Sequence, residues 1–135
     1  MSDVVFGIEP GLGAEEFRRV LVDSGLAERR PAEDLERLER MLRGSNLIVT
    51  ARDADGLVGV ARSVTDGAYC CYLSDLAVSE RVKGQGVGKE LIEQTRKAVG
   101  PEVSVILSSA PKAVGFYEKI GMPRLPDAFH FKRER

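Results

Sequence analysis

The chain has 135 residues, a formal charge of −1 and a pI near 5.9, with 43% hydrophobic and 30% charged residues. That length suits one domain, 1–135, and the charge balance gives no whole-molecule attraction to nucleic acid or to an anionic membrane surface. No apolar run is long enough to span a bilayer, and "MSDVVFGIEPG" lacks the basic-then-apolar order of a secretory signal, so a cytoplasmic setting is expected.

In chain order, "VVFGI" (Val4–Ile8) reads as a first strand broken by "EPGLG". From Ala14 to Ser24, Phe17, Val20 and Leu21 fall on one helical face. "GLAERRP" interrupts. Leu35, Leu38, Met41 and Leu42 then recur at helix spacing until Gly44, with Glu33–Arg37, Glu36–Arg40 and Glu39–Arg43 pairing along a solvated outer face. The period changes over Asn46–Val78. "NLIVTARD", "GLVGVARSVTD" and "GAYCCYLSDLAV" are β-rich runs separated by the turn signals "ADG" and "DG", which predicts three sequential antiparallel strands.

Cys70 and Cys71 are neighbours on the third of these runs and point to opposite faces, which excludes a disulfide framework. With His130 as the sole histidine and no spaced cysteine pair, no metal site is expected. The absence of "GxSxG" speaks against a nucleophile-elbow hydrolase. Val87, Leu91, Ile92, Thr95, Ala98 and Val99 mark a helix ending at Gly100-Pro101. "EVSVILSS" reads as a buried strand, "PKAVGFYEKIG" as a short helix, and Ala128–Lys132 as a last strand. The predicted order is β-α-α-β-β-β-α-β-α-β, an α+β single-domain sheet protein with a mixed, mostly antiparallel sheet.

The chemistry-bearing stretch is "ERVKGQGVGKELI", with Gly84, Gly86 and Gly88 at alternate positions before a helix. The first N–H groups of a helix lack internal partners and carry partial positive charge, and glycine lets backbone approach an anion closely. A P-loop would require glycine at position 83 and Ser or Thr at position 90, where Lys83 and Glu90 stand. The dinucleotide pattern "GxGxxG" fails in both registers, at Lys89 and at Leu91. The pattern that fits is Lys83-x-x-Gly86-x-Gly88, a pyrophosphate grip for coenzyme A. A shifted register, Arg81-x-x-Gly84-x-Gly86, would supply an arginine but misplaces the helix that follows.

In these residues the chain resembles the GNAT superfamily of acyl-CoA-dependent N-acetyltransferases. "YLSDLAVSERVKGQGVGKELI" is similar to the family's fourth strand, loop and third helix, and "AVGFYEKIGM" to its fourth helix. The departures are Lys83 for the usual Arg or Gln, Ala110 for a frequent Asn, and Met122 for a usual Phe. The resemblance implies the acyl-CoA N-acyltransferase fold and acetyl-CoA as co-substrate. It implies that Leu76, Ala77 and Val78 pair with the pantetheine arm through backbone groups. Lys83, Gly84, Gln85, Gly86, Val87, Gly88 and Lys89 would hold the pyrophosphate. Tyr117 would contact the cofactor and act as general acid toward the departing sulfur, with a core aromatic as the competing reading.

The base is open. Some relatives carry Glu where Tyr72 stands, many use water alone, and Asp75 is the nearest carboxylate, with a polar residue bonding local backbone as its alternative. Arg29 and Arg30, between the first two helices, are candidates to grip an anionic group on the acceptor, against a plain solvated loop. Cys70 and Cys71 read as strand residues rather than acyl carriers. The expected activity is direct acetyl transfer to the primary amine of a small molecule or peptide, without nucleic acid or membrane. The alternatives are a different acyl donor or a non-catalytic acyl-CoA-binding module. Family members are often dimers, so a homodimer is one expectation.

Overall fold

A computed structural model describes residues 3–135; the first two residues of the expected 1–135 domain lie outside the described part. Five strands form one sheet in the order β1 (Val5–Ile8), β2 (Leu47–Asp53), β3 (Gly56–Thr65), β4 (Cys70–Val78) and β5 (Ser104–Ile106). The first four are antiparallel neighbours, and β5 runs parallel to β4. Four helices complete the order: α1 (Ala14–Ser24), α2 (Leu35–Arg43), α3 (Val87–Val99) and α4 (Val114–Lys119).

Both faces of the sheet are covered, which is why β2 and β3 read as continuous apolar runs rather than alternating ones. One core joins Phe17, Val20 and Leu21 of α1 and Leu38 and Leu42 of α2 to Ile48, Val60 and Ala77 of the sheet. The other joins Leu91 and Ile92 of α3 to Val49, Val58 and Leu73, with Phe116 and Tyr117 of α4 packed at its margin. The Asp34 carboxylate caps α2 by accepting from the Arg37 N–H at 3.0 Å. Of the expected surface pairs along α2, Glu39–Arg43 forms an ion pair at 3.0 Å.

Three features depart from the sequence expectations. Leu26–Arg29 forms a 3-10 turn rather than a bare connection. The strand predicted as buried from "EVSVILSS" is only three residues long and is not buried: Ser104 and Ile106 are exposed and Val105 is half-buried, because β5 is the outer strand of the sheet. Ala128–Lys132 is not a strand: no ladder includes it, and Phe129 and Phe131 stand almost fully in solvent at 96% and 104% exposure. A period-2 aromatic pattern favours a strand only where an edge accepts it, and this segment lies on none. No helix among the described residues is long and apolar enough to cross a membrane.

Candidate active site

The site begins with an irregularity in β4. Arg62 lies opposite Asp75 and Ser63 opposite Leu73, so Ser74 is an extra residue, a β-bulge. The bulge shifts the side-chain alternation. Leu73 faces the α3 core, whereas Ala77 faces the α1–α2 core and Asp75 meets Arg62, which itself reaches Met41 O of α2 and, just past the end of that helix, Ser45 Oγ. Beyond the bulge β4 and β5 part. Their pairing covers only Cys70–Tyr72 with Ser104–Ile106, while β4 continues from Leu73 to Val78.

At this divergence lies a cavity of about 60 Å³, lined among others by Arg29 and Arg30, Ser74 and Leu76, Ser108 and Tyr117. Of the residues expected to meet pantetheine, Leu76 therefore reaches the cavity through its lining, Val78 is half-buried, and Ala77 is buried in the opposite core. Tyr117 stacks edge-on against Phe116, with ring centres 5.0 Å apart. Burial pushes its phenol above the ordinary value, and the positive charge of Arg30 opposes that shift. Its hydroxyl has no protein hydrogen-bond partner among the described residues. The group is thus a neutral O–H at physiological pH, available to a ligand in the cavity.

Asp75 corrects an expectation. It is fully buried, and its two carboxylate oxygens accept from Arg30 Nε and Arg62 Nε respectively. It does not line the cavity. A base must reach the proton it takes, and this carboxylate is turned away and occupied. What it does is hold Arg30, whose Nη2 also donates to Ser74 O at 2.7 Å and whose Nη1 donates to Arg29 O at 2.8 Å. Arg62 Nη2 donates to Ser74 Oγ at 3.0 Å, so the bulge is bonded from both sides. Sequence reading missed Arg62 and Ser74. The signal was there: an arginine inside "GVARSVT" and an aspartate inside "YLSDLAV" are opposite charges on adjacent, otherwise apolar strands.

The glycine loop follows β4 through a 3-10 turn over Glu80–Val82. Gly84 and Gly86 both have φ of +81°, a conformation that costs other residues strain, and neither would bring a Cβ within 4 Å of another group. Gly88 differs. A Cβ there would meet the Phe116 ring at 3.1 Å, so its smallness serves the approach of α3 to α4. The first bond of α3 runs from Glu90 N–H to Gly86 O at 3.0 Å, and no side chain caps the helix. Among the described residues, the N–H groups from Gly84 to Lys89 have no backbone acceptor. The loop therefore offers consecutive open donors at the positive end of a 13-residue helix.

The flanking cations are divided. Arg81 donates to both oxygens of Asp53, at 2.6 and 3.0 Å, which commits it to the β2–β3 hairpin. Lys83 makes only a surface pair with Glu80 at 2.7 Å. Lys83, and the exposed Lys89 in the first turn of α3, are the cations nearest a ligand on the loop.

The remaining expectations fall outside the site. Burial pushes the Cys71 thiol up, which disfavours its thiolate as an acyl carrier. Cys70 is exposed, at the end of β4 remote from Val78. His130 lies in the exposed C-terminal segment. Among the described residues no cluster of His, Cys, Asp or Glu is arranged to hold a metal.

Residues 18–132 match the acetyltransferase (GNAT) domain family. The chain is 34% identical over 102 residues to the uncharacterized N-acetyltransferase ycf52 of Pyropia yezoensis, a match covering 69% of this chain and 57% of that protein. It is 30% identical over 128 residues to serotonin N-acetyltransferase 2, chloroplastic, of Oryza sativa subsp. japonica, covering 90% of this chain and 60% of that protein. The chain thus spans about three-fifths of the length of these curated relatives. The aminoglycoside N-acetyltransferase AAC(6')-Iy, solved in complex with CoA, shares the fold with a TM-score of 0.71 at 14% identity, covering 100% of this chain and 97% of that one. A split between β4 and β5, an open-donor glycine loop on α3 and a tyrosine on α4 are thus set in a matching fold, and the chain belongs to the GNAT acetyltransferase family.

Proposed function

We propose that this chain transfers an acetyl group from acetyl-CoA to a primary amine by direct attack, without an acyl-enzyme. The observation that carries the reading is the run of open N–H donors from Gly84 to Lys89 beyond the same split of β4 from β5 that holds the Tyr117 phenol. Those donors, with Lys83 as counter-ion, suit the pyrophosphate of the co-substrate. The β4 segment Leu76–Val78, which has no β5 partner, suits its amide arm as a strand-like neighbour.

The residues then divide the chemistry. Among the described residues no Asp or Glu lines the cavity, so the protonated amine loses its proton to water before it attacks the thioester carbon. The backbone N–H at Val78 stabilises the oxyanion, a contribution of about 3 kcal/mol when such a donor is preorganised. The attacking nitrogen gives up its second proton to water as the C–S bond breaks, and the Tyr117 hydroxyl gives its proton to the leaving sulfur and regains one from solvent. A positioned acid of this kind contributes about 10²-fold or more.

The test combines binding with turnover. Acetyl-CoA and CoA should both raise the melting temperature, and free thiol should appear when an amine is added. Tyr117→Phe should lower kcat about 10²-fold while leaving the KM for acetyl-CoA within about threefold. Equal loss in both would make Tyr117 a packing residue. Stabilisation by CoA without turnover on any amine would identify a binding module instead, and no stabilisation by either would end the acyltransferase reading.

A further inference from the structure

The cavity has a charge that acetyl transfer alone does not require. Among the described residues its lining includes Arg29 and Arg30 and no acidic side chain. Behind it, one carboxylate, Asp75, is shared by two guanidiniums, those of Arg30 and Arg62. The buried cluster therefore carries a net positive charge of one, before Arg29 is counted. A part-buried cation that the protein does not fully compensate favours an anion, and most of all one that matches a planar fork.

Arg30 is built for that purpose. Its side chain is 20% exposed, so it touches the cavity without being free in solvent. A guanidinium has five N–H donors. Three are directed at protein acceptors, namely Asp75 Oδ1, Arg29 O and Ser74 O, which locks its plane. The other two, on Nη1 and Nη2, have no protein acceptor among the described residues. Its charge also reaches the Tyr117 phenol, so an anion held on it sits beside the acid of the reaction. The cavity's small volume, about 60 Å³, admits a group of a few atoms rather than a large anion such as a nucleotide.

We propose that Arg30, oriented by Asp75 and assisted by Arg29, binds the carboxylate of the acceptor, so that the acceptor class is an amino carboxylate of amino-acid type. This rests on the acyltransferase reading above. It separates the chain from enzymes whose acceptors are simple cationic amines. A monoamine or polyamine brings only positive charge into a site that already has an excess of it. An amino carboxylate brings its own compensating charge.

The experiment uses matched pairs: L-leucine, L-phenylalanine, L-glutamate and L-lysine against their α-carboxamides, with tryptamine and spermidine as plain amines. Free thiol released from acetyl-CoA measures turnover. At least one carboxylate should exceed its own amide by about ten- to a hundredfold in kcat/KM, the range expected for a charge-assisted contact. Arg30→Gln should bring that ratio toward one, chiefly by raising the KM for the acceptor, and Arg30→Lys should restore part of it. Arg29→Ala, at an exposed position, should reduce the ratio less. Amides, tryptamine or spermidine turned over as well as the carboxylates would overturn the proposal while leaving the acyltransferase reading standing. So would an unchanged ratio in Arg30→Gln.

If no amine is turned over, binding decides. Calorimetric titration of the CoA-saturated protein with the same pairs should show carboxylate binding that Arg30→Gln abolishes, and its absence would overturn the proposal on its own.

Discussion

At one end of β2 a single guanidinium serves two carboxylates; beside the cavity a single carboxylate serves two guanidiniums. Arg52 donates to both oxygens of Glu9 and both oxygens of Glu16, at 2.6–2.9 Å, and ties the β1–β2 edge to α1. All three side chains are about one-third exposed, at 33%, 33% and 37%. Asp75, in contrast, is 0% exposed, Arg62 8% and Arg30 20%. Water screens the surplus negative charge of the first cluster, so its composition has little consequence. In the second, burial makes the balance of charge decisive, because desolvated ions must be compensated by a partner or by a ligand. The same two residue types thus give a surface tie in one place and a buried, positively charged cluster beside the cavity in the other.

The sharpest way to break this contrast is to remove the buried carboxylate. Asp75→Ala leaves Arg62 deep in the protein without its ion partner, and the expected loss is about 3–5 kcal/mol in denaturant unfolding. A loss below about 1 kcal/mol would mean that water reaches the cluster, and that burial does not set the two sites apart.

A smaller effect is expected from Arg30→Gln, because Asp75 keeps Arg62 as its partner. The stability cost should be about 1–2 kcal/mol, the worth of hydrogen bonds to a charged group in a part-buried place. Urea midpoints for the two variants compare them directly. If Arg30→Gln proved as damaging as Asp75→Ala, Arg30 would be a structural member of the cluster, and its two open donors would need no ligand to explain them.

The sequence was informative where one residue type had one job. Periodicity located α1 and α2, and the "ADG" and "DG" turns located the β2–β3–β4 meander, because helix and hairpin signals are local. Gly84 and Gly86 announced an unusual backbone, and both have positive φ. Gly88 gave the same signal for another reason, the Phe116 ring, which a spacing pattern cannot distinguish from a ligand. Asp75 was legible as a carboxylate near the site but not as a buried clamp. That depends on the bulge at Ser74 and on Arg62 thirteen residues away, both products of strand register. Phe129 and Phe131 carried a strand pattern whose edge partner no local signal could supply.

The smallest effect tests the exposed half of the comparison. Arg52 holds the carboxyls of Glu9 and Glu16 below the ordinary value of 4.5, chiefly by donating hydrogen bonds to each. A carboxylate whose folded pKa is depressed adds stability that is fully present above its unfolded pKa. That stability is lost as pH falls through the folded value. Arg52→Gln should therefore cost at most about 1 kcal/mol at neutral pH, discounted for solvent screening of one-third-exposed groups. The gap from the parent chain should stay constant above about pH 4.5 and close progressively below it. It should also narrow in 1 M salt, where charges are screened within a few ångströms. A gap that survived both acid and salt would show that the aliphatic stem of Arg52 packs the edge and that its charge is incidental. Closure under both would leave the buried cluster as the place in this molecule where an unequal count of arginines and carboxylates carries a function.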